Sequence, residues 1–351
     1  MKKFLQRATL ALGLCLLLFL FTACGGSKKT TARQVNIYNW GEYIDPALLR
    51  TFEQETGIHV IYSTFATNED LFVKLKNGGA HYDLICPSDY MIDKMRKEGL
   101  LEKLDYRRIP NFQNIDEPYR HQAFDPDQAY TVPYFWGTLG ITYNRTMVRE
   151  PVDSWSILWD PAYARRLLMM DSTRDSFAIG LIRRGYSVNT DQKNQLQEVQ
   201  QDLIAQYPLV YAYLVDQIKD MMINEECALA VMFSGDAVEA IEANPNLAYV
   251  VPREGSNIWF DSWCIPRGAE NKENAEAFIN FMCRPDVMAK NAEFVGYSLP
   301  SFAGRAALPE EMREDPVAYP PIETVEKCQA FQDMGPLNQT YNELWQDVKN
   351  R

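Results

Sequence analysis

The sequence predicts an α/β fold of two lobes, each a mainly parallel sheet flanked by helices, with a ligand cleft between the lobes. First, short apolar runs alternate with amphipathic stretches along almost the whole chain, which implies parallel strands covered by helices on both faces. Second, this alternation of strand and helix patterns starts again in the second half of the chain. Third, 351 residues is the length of two domains at about 150 residues each. Two α/β units that the chain connects more than once leave a cleft, where small-molecule sites tend to form.

The first unit alternates strands with helices from its start. A strand over 35–38 comes first, and Asp45 and Pro46 then open a helix as its cap and first-turn proline, with Gly57 as its stop. The segments that follow alternate in the same way and are strand 58–63, helix 69–76, strand 82–86 and helix 89–97. Ligands in such sheets sit at the ends of strands.

The second unit follows a passage, Ala129–Asn144, whose glycines and Pro133 mark it as connector as much as strand. Its predicted strands are 167–170, 228–233 and 247–251, and its predicted helices are 176–184, 192–206, 214–223 and 236–244. A further helix over 274–283 has an apolar face of helical spacing and stops before Pro285.

Composition and net charge limit the classes of ligand that the protein could bind. With 46% hydrophobic and 23% charged residues, the chain is neither disordered, collagenous nor a coiled coil. Lys2, Lys3 and Arg7 are the charged residues before Cys24, and the remainder carries 32 basic against 47 acidic residues, a net charge of −15. Such a chain is a poor match for nucleic acid or anionic lipid and a reasonable one for cationic ligands.

The first 23 residues have the pattern of an export signal peptide, with a basic start and an uncharged run of 13 residues that is too short to span a bilayer as a helix. The stretch Phe21–Cys24 resembles a bacterial lipobox, in which the cysteine is lipid-modified and becomes the first residue. We therefore expect an exported protein anchored to the membrane through Cys24, periplasmic if the cell has two membranes, with 24–33 as a flexible tether. An ordinary cleavage site beside an incidental cysteine is the alternative.

Five cysteines remain beyond the anchor and the signal peptide: Cys86, Cys227, Cys264, Cys283 and Cys328. An odd count leaves at least one thiol unpaired, and most of these residues lie in apolar runs that favour burial in the core. The sequence leaves their disulfide state open.

Several apolar runs end in clusters that combine aromatic and acidic residues. These clusters are Trp40 to Tyr43, Ser88 to Tyr90, Asp171 to Asp175, Phe233 to Asp236 and Trp259 to Asp261, and Tyr297 follows a further break. An acid at a helix start is also explained as a cap that is worth about 1 kcal/mol, and Asp45 and Asp236 are assigned to that role. Glu42 and Asp261 differ, because each lies within two residues of a tryptophan and precedes no evident helix.

Acidic residues at the ends of the predicted strands favour a cationic ligand. Burying a cation costs several kcal/mol unless carboxylates pair with it. Tryptophan and tyrosine faces add about 0.5 to 2 kcal/mol each toward an ammonium group and also cover methylenes. Acids spaced between aromatic rings therefore predict an elongated, multiply charged amine as the ligand.

Metal ions and enzymatic functions fit the sequence less well than an amine ligand. Calcium or magnesium needs about six oxygens, and no loop resembles an EF-hand. Zinc is disfavoured because His59, His81 and His121 are scattered, and motifs for nucleotide binding or a nucleophilic serine are missing. No cofactor, metal or catalytic residue is therefore predicted. A secreted carbohydrate hydrolase, with Glu42 and Asp261 facing each other, and a metal-dependent adhesin stay open as alternatives.

These clusters carry a resemblance to a known family, and it extends from about Val35 to the C-terminus. The matching segments are 38–40, 42–43, 55–63, 93–99, 124–126, 134–137, 259–262 and 284–287. The sequence resembles the spermidine/putrescine-binding proteins of bacterial ABC importers. The resemblance implies a two-lobed periplasmic-binding-protein fold whose chain crosses near Trp136 and returns near Asp261. Lobe 1 would be 34–136 with 261–307, and lobe 2 would be 137–260 with 308–351.

The resemblance also implies what the protein does. It would be a receptor, not an enzyme, that binds putrescine or spermidine and delivers it to the permease subunits of an ABC importer. It would act as a monomer, with no nucleic-acid partner. A receptor for another cationic solute is the alternative within this class.

By position, the resemblance implies a ligand site of aromatic, acidic and hydroxyl residues. The aromatic residues are Trp40, Tyr43, Tyr90, Phe233, Trp259 and Tyr297, the acids are Glu42, Asp175 and Asp261, and Ser88 supplies a hydroxyl. Some positions depart from the family: Gly41 replaces a hydroxyl residue, Ser172 an acid, Phe233 a tryptophan and Phe331 a glutamine, and Asp175 is shorter than the usual glutamate. Fewer anchors remain for a third nitrogen, which slightly favours putrescine, although Asp171 or Gln332 could compensate.

Overall fold

The computed structural model describes residues 33–78, 81–215 and 217–350. The predicted signal peptide 1–23, the lipid-anchor residue Cys24 and all of the tether except Arg33 lie outside the described residues. Within the described ranges no helix is long and apolar enough to cross a membrane.

The strands of the described chain occupy both halves of the sequence. They are β1 Gln34–Trp40, β2 His59–Phe65, β3 Leu84–Ile85, β4 Leu101–Glu102, β5 Thr131–Asn144, β6 Leu167–Met170, β7 Val210–Leu214, β8 Leu229–Phe233, β9 Leu247–Val250 and β10 Ile258–Pro266.

The helices fill the intervals between strands and the C-terminal part of the chain. They are α1 Pro46–Thr56, α2 Asn68–Lys76, α3 Asp89–Lys97, α4 Thr173–Arg183, α5 Lys193–Gln206, α6 Gln217–Ile223, α7 Ser234–Ala243, α8 Lys272–Met282, α9 Pro285–Val295, α10 Phe302–Ala306, α11 Glu310–Arg313, α12 Ile322–Val325 and α13 Leu337–Lys349.

The strand order combines two parallel groups with two long antiparallel strands. The order is β2-β1-β3-β10-β5-β8-β6-β7. Strands β2, β1 and β3 run parallel, as do β8, β6 and β7, whereas β10 and β5 are antiparallel to their neighbours. The predicted α/β fold is thus confirmed, with the parallel strands in each half joined by β5 and β10.

Two separate hydrophobic cores mark the two lobes. Strand β5 contributes residues up to Trp136 to the first core and residues from Leu139 onward to the second. Leu308 and Tyr319 lie in the first core and Phe331 lies in the second, although the sequence assigned 308–351 to lobe 2. A third cluster packs α4 and α5 against α13.

Local signals in the sequence explain the first helix. The Asp45 side chain accepts a hydrogen bond from the amide of Ala47, Pro46 starts α1, and Gly57 ends it in the left-handed conformation with φ of 67°. The cap and the stop are therefore confirmed. Asp236 lies in the first turn of α7, after Phe233 at the cap position.

The passage over Ala129–Asn144 is a continuous strand from Thr131, not a partial connector. Its glycines serve side-chain packing: a Cβ on Gly137 would come within 2.6 Å of the Trp259 ring, and one on Gly140 within 2.4 Å of the Tyr249 ring. Pro133 is tolerated because it pairs with Ser262, where the register of β5 against β10 shifts.

Further differences concern the second half of the chain. Residues 210–214 form β7, so the helix predicted from Leu214 begins only at Gln217. Strand β10 and helices α9 to α13 were not predicted. Strand β10 has apolar residues on both faces because it is buried on both, which removes the alternation that identifies a strand.

Candidate functional site

The side chain of Asp261 connects three segments of the first lobe. Its Oδ2 accepts a hydrogen bond from the Tyr43 hydroxyl at 2.7 Å, and its Oδ1 accepts one from the Ser88 hydroxyl at 2.6 Å. Tyr43 follows β1, and Ser88 follows β3 at the N-cap position of α3, where its hydroxyl bonds to Asp261 and makes no cap hydrogen bond. Because β1 and β3 are parallel neighbours, their carboxyl ends meet at the same edge, and β10 passes beside them.

Burial controls the charge of this carboxylate. Asp261 is only 6% exposed, and burial raises its pKa to about 6, although the hydrogen bonds from Ser88 and Tyr43 lower it. Burial likewise raises the pKa of the Tyr43 hydroxyl, and the negative charge of Asp261 raises it further. A carboxylate held in this way gains most from a cation, since the positive charge replaces the solvation that burial removes.

A row of aromatic rings leads from Asp261 toward the second lobe. The ring centroids of Tyr43 and Tyr297 are 5.9 Å apart, those of Tyr297 and Trp259 are 5.0 Å apart, and those of Trp259 and Phe233 are 6.3 Å apart. Tyr297, Trp259 and Phe233 are half-buried. The predicted aromatic residues on this side therefore form one connected group with Asp261.

Tyr90 and Trp40 lie beside this group. The Tyr90 ring packs against both cores, and its hydroxyl donates to Glu69 Oε1 at 3.1 Å. Trp40 is half-buried with its ring 4.5 Å from that of Phe65.

Asn68, which the sequence analysis did not single out, supports two of these residues. Its amide nitrogen donates to the Tyr90 hydroxyl at 3.2 Å, and its carbonyl oxygen accepts from the Ser88 amide at 3.1 Å. A lone asparagine at a helix start carries no sequence signal that separates this role from ordinary helix initiation.

On the second lobe, Ser172 and Asp175 form a local pair at the start of α4. Ser172 caps the helix, and its hydroxyl donates to Asp175 Oδ2 at 2.5 Å. Asp175 is 8% exposed, and burial raises the pKa of its carboxyl group. This makes Asp175 the buried acid among the three polar candidates of that lobe.

Two predicted residues have other partners in the second lobe. Asp171 is exposed, and its carboxylate pairs with Lys349 of α13 at 2.7 Å. The Phe331 ring is buried in the second core, with the Arg174 guanidinium 4.4 Å from its centroid. The next residue, Gln332, is half-buried, and its main chain bonds to Arg174 and Asn189.

The loop after β1 exposes its acid. Gly41 and Glu42 are both exposed, and Glu42 has a left-handed backbone with φ of 50°. Within the described chain its carboxylate has no hydrogen bond or ion pair. Tyr43, the next residue, bonds to Asp261, so this loop is attached to the buried carboxylate directly.

Asp89 is a buried acid that the sequence analysis noted in the cluster after β3 but did not assign to the site. It is 1% exposed, and its Oδ1 accepts from the Tyr90 amide at 2.6 Å. Its Oδ2 is buried and has no hydrogen-bond partner among the described residues. The interpretation of such an acid as a helix cap explains only one of its two oxygens.

Other features of the described chain bear on alternative sites. Cys86, Cys227, Cys264 and Cys283 are buried, Cys328 is half-buried, and all five are free thiols. Over the described ranges, no group of three or more His, Cys, Asp or Glu side chains could hold a metal ion.

Comparison with known proteins gives consistent matches. A family model described as "Bacterial extracellular solute-binding protein" matches residues 47–320. The "Spermidine/putrescine-binding periplasmic protein" of Salmonella typhimurium is 40% identical over 315 residues, which cover 89% of this chain and 90% of that protein. The "Putrescine-binding periplasmic protein SpuD" of Pseudomonas aeruginosa is 31% identical over 350 residues, covering 94% and 95%.

A solved structure extends the likeness to three dimensions. The spermidine/putrescine ABC transporter substrate-binding protein PotD from Streptococcus pneumoniae superposes with a TM-score of 0.84 at 43% identity, covering 91% of this chain and 99% of that one. The two-lobed architecture is common to both.

Proposed function

Since this chain belongs to the family of bacterial extracellular solute-binding proteins, we propose that it is the polyamine receptor of an ABC importer, which binds putrescine or spermidine and delivers it to the permease. The observation that carries the proposal is the buried carboxylate of Asp261, held by Tyr43 and Ser88 at the end of a row of aromatic rings. The proposal includes no chemical step, in keeping with relatives whose names describe binding proteins.

The geometry supports recognition of an ammonium group. Hydrogen bonds from Tyr43 and Ser88 fix the orientation of the Asp261 carboxylate, so an ammonium group meets an acceptor that is already in place. Pairing with this carboxylate offsets the cost of removing the cation from water. The faces of Trp259 and Tyr297 attract the positive charge and cover the methylene chain of the ligand.

A preference for the shorter diamine follows from the second lobe. Asp175 is the buried acid there, whereas Asp171 is occupied by Lys349 and Phe331 is buried in the second core. A third ammonium group therefore finds few additional carboxylates, which slightly favours putrescine over spermidine.

The lobes would close around the ligand by a hinge motion. Ligand that contacts both lobes only when they are shut moves the population toward the closed form by its difference in affinity. Lobe 1 would comprise 34–136 with 261–307, and lobe 2 would comprise 137–260 with 308–351. The place of Leu308 and Tyr319 in the first core favours moving the last boundary toward Phe331.

We further infer that the chain is exported, anchored through a lipid on Cys24 and active as a monomer. An anchored receptor stays close to its permease, and a tether over 24–33 leaves the lobes free to move.

Calorimetry on ligand-stripped protein tests the function. Putrescine, cadaverine, spermidine, spermine, arginine and calcium chloride are titrated separately at pH 7.5. We expect putrescine and spermidine to bind, with putrescine at least as tight, and arginine and calcium to give no saturable heat. Binding of calcium alone, or of no amine at all, contradicts the proposal.

A further inference from the structure

Two side chains on opposite lobes, buried Asp89 and half-buried Arg174, each have one buried hydrogen-bonding atom without a partner among the described residues, and the two atoms are complementary. Asp89 lies in the first turn of α3, which packs Met91 and Ile92 into the first core. Arg174 lies in the first turn of α4, which packs Ala178 and Ile179 into the second core. The two residues therefore belong to different lobes.

On the first lobe, Asp89 has one free oxygen. Its Oδ1 accepts from the Tyr90 amide, whereas its Oδ2 is buried with no partner among the described residues. A buried carboxylate oxygen without a hydrogen bond is costly, so it favours any state that supplies a donor.

On the second lobe, Arg174 has one guanidinium nitrogen without a hydrogen-bond partner in the described chain. Nη1 donates to the carbonyl of Gln332 at 3.1 Å, Nη2 donates to Asn189 Oδ1 at 3.0 Å, and the guanidinium stacks on Phe331. These contacts fix the orientation of the group. Its Nε is buried and has no hydrogen-bond partner in the described chain.

The two residues flank the same stretch of chain. Asp93, one turn after Asp89 on α3, accepts a hydrogen bond from the Asp333 amide at 3.2 Å. Gln332, the residue before Asp333, is held by Arg174. Since residues at i and i+4 share a helix face, Asp89 faces the same side as Asp93.

Electrostatics agrees with this placement. Burial raises the pKa of the Asp89 carboxyl group and the charge of Asp261 raises it further, whereas the backbone amides of Tyr90 and Phe260 and the charge of Arg174 lower it. In turn, burial lowers the pKa of Arg174, and the charge of Asp89 raises it.

We propose that Asp89 and Arg174 are a positioning pair for ligand capture: the Arg174 Nε–H donates to Asp89 Oδ2 when the lobes close, without either side chain touching the ligand. The proposal rests on the polyamine function proposed above. The pair acts through its neighbours, because Asp89 lies between Ser88 and Tyr90, and Arg174 precedes Asp175. A bond that forms only in the closed state adds to the stability of that state and slows ligand release.

The test measures affinity and release rate for Asp89→Asn, Arg174→Gln and the double variant with putrescine, cadaverine and spermidine. Each single change should weaken binding about 10- to 100-fold, mainly through faster release, because hydrogen bonds to charged groups are of this strength. The double variant should bind no more weakly than the worse single variant, since one interaction is removed in every case. The factor should be the same for all three amines, because the pair does not touch them.

A matched control is Asp83→Asn. Asp83 is also a buried acid of the first lobe, but both of its oxygens accept hydrogen bonds, from Asn36 and Asn271, at the opposite end of β1 from Tyr43. This change should lower the unfolding temperature and leave amine affinity unaltered. A merely structural role for Asp89 would give that same result.

The outcomes separate the two proposals. If the original chain binds no amine, the proposed function fails. If it binds amines but Asp89→Asn leaves affinity unchanged, or if the losses in the double variant add, the pair is refuted while the function stands. A loss that depends on amine length refutes it too, since Asp89 would then contact the ligand. If either variant does not fold, Arg174→Lys replaces it and should weaken all three amines equally, because an ammonium group cannot supply the Nε–H while holding Gln332 and Asn189.

Discussion

The Tyr43 hydroxyl donates a hydrogen bond of 2.7 Å to Oδ2 of Asp261, although 218 positions separate the two residues in the sequence. The contact joins the loop after β1 to the bulge in β10, where Ser88 holds the other carboxylate oxygen. Both oxygens are thus occupied by neutral donors, which leaves the negative charge without a counterion. That charge is the basis of the predictions for this site.

Replacing Asp261 by asparagine should nearly abolish amine binding. The ammonium group would lose its charged partner inside the protein, and breaking a buried ion pair typically costs about 3 to 5 kcal/mol. Calorimetry with putrescine measures the loss. Asp45→Asn serves as the control, because Asp45 caps α1 and keeps a similar cap as asparagine. Unchanged affinity in Asp261→Asn would remove this residue from the site.

Amine affinity should fall as the pH is lowered through about 6. Asp261 has a pKa of about 6 in the folded ligand-free protein, so below that pH a ligand must first displace a proton. Putrescine affinity measured between pH 5 and 8 should show this midpoint. Tyr43→Phe should shift the midpoint to higher pH, since the hydrogen bond from Tyr43 lowers the pKa of Asp261. A flat profile would contradict the assignment.

The same carboxylate predicts how the ligand-free protein responds to pH. The pKa of Asp261 is raised from 3.8 to about 6 on folding, so between these values the folded state binds more protons than the unfolded state. Stability therefore falls as pH rises from about 4 to 6, by about 3 kcal/mol from this group, and is constant above that range. Denaturant unfolding at several pH values should show the fall in the original chain and a smaller one in Asp261→Asn. An equal fall in both would exclude Asp261 as its source.

The sequence predicted the parts of the fold that local signals control. Asp45, Pro46 and Gly57 set the bounds of α1 through backbone geometry, and the structure follows them. Strand β7 could not be predicted from local signals. Buried and exposed residues do not alternate along Val210–Leu214, so the sequence lacks the pattern that identifies a strand. Residues 131–144 form a strand that the sequence did not identify clearly. Its glycines suggested a connecting segment, whereas in the structure they make room for the rings of Trp259 and Tyr249.

For the site, the sequence identified residue types at strand ends but not their partners. Tyr43 and Ser88 follow neighbouring parallel strands whose carboxyl ends meet, which the alternation of strands and helices allows one to anticipate. Asp261 lies at the bulge inside β10, and its place beside them could not be anticipated because β10 was not predicted. The pairing of Asp171 with Lys349 depends on where α13 docks, and no local pattern encodes that contact. The burial of Asp89 is likewise a property of the tertiary structure and was invisible beforehand.

Trp259→Ala should weaken binding of every amine, whatever its length. The indole ring lies between Tyr297 and Phe233, so its removal takes away a face that covers methylenes and attracts an ammonium group, worth about 0.5 to 2 kcal/mol. Trp259→Phe, which keeps an aromatic face, should recover part of the affinity. Calorimetry with putrescine, cadaverine and spermidine measures both variants. A loss of affinity for only one amine would show that the ring selects ligands by length and does not simply cover their methylene groups.

Ser172→Asp should raise the affinity for spermidine relative to putrescine. Ser172 is the N-cap of α4 in the second lobe. Aspartate is an equally good N-cap residue, so this change should not destabilise the helix. The new carboxylate lies beside Asp175, whose pKa burial already raises, and two acids there favour an additional ammonium group. Asp171→Asn is the matched control, because its carboxylate is exposed and paired with Lys349, and it should alter neither affinity. Competition of the two amines for each variant gives the ratio directly. An unchanged ratio in Ser172→Asp, or a shift in Asp171→Asn, would mean that the acids of this segment do not set the preferred length.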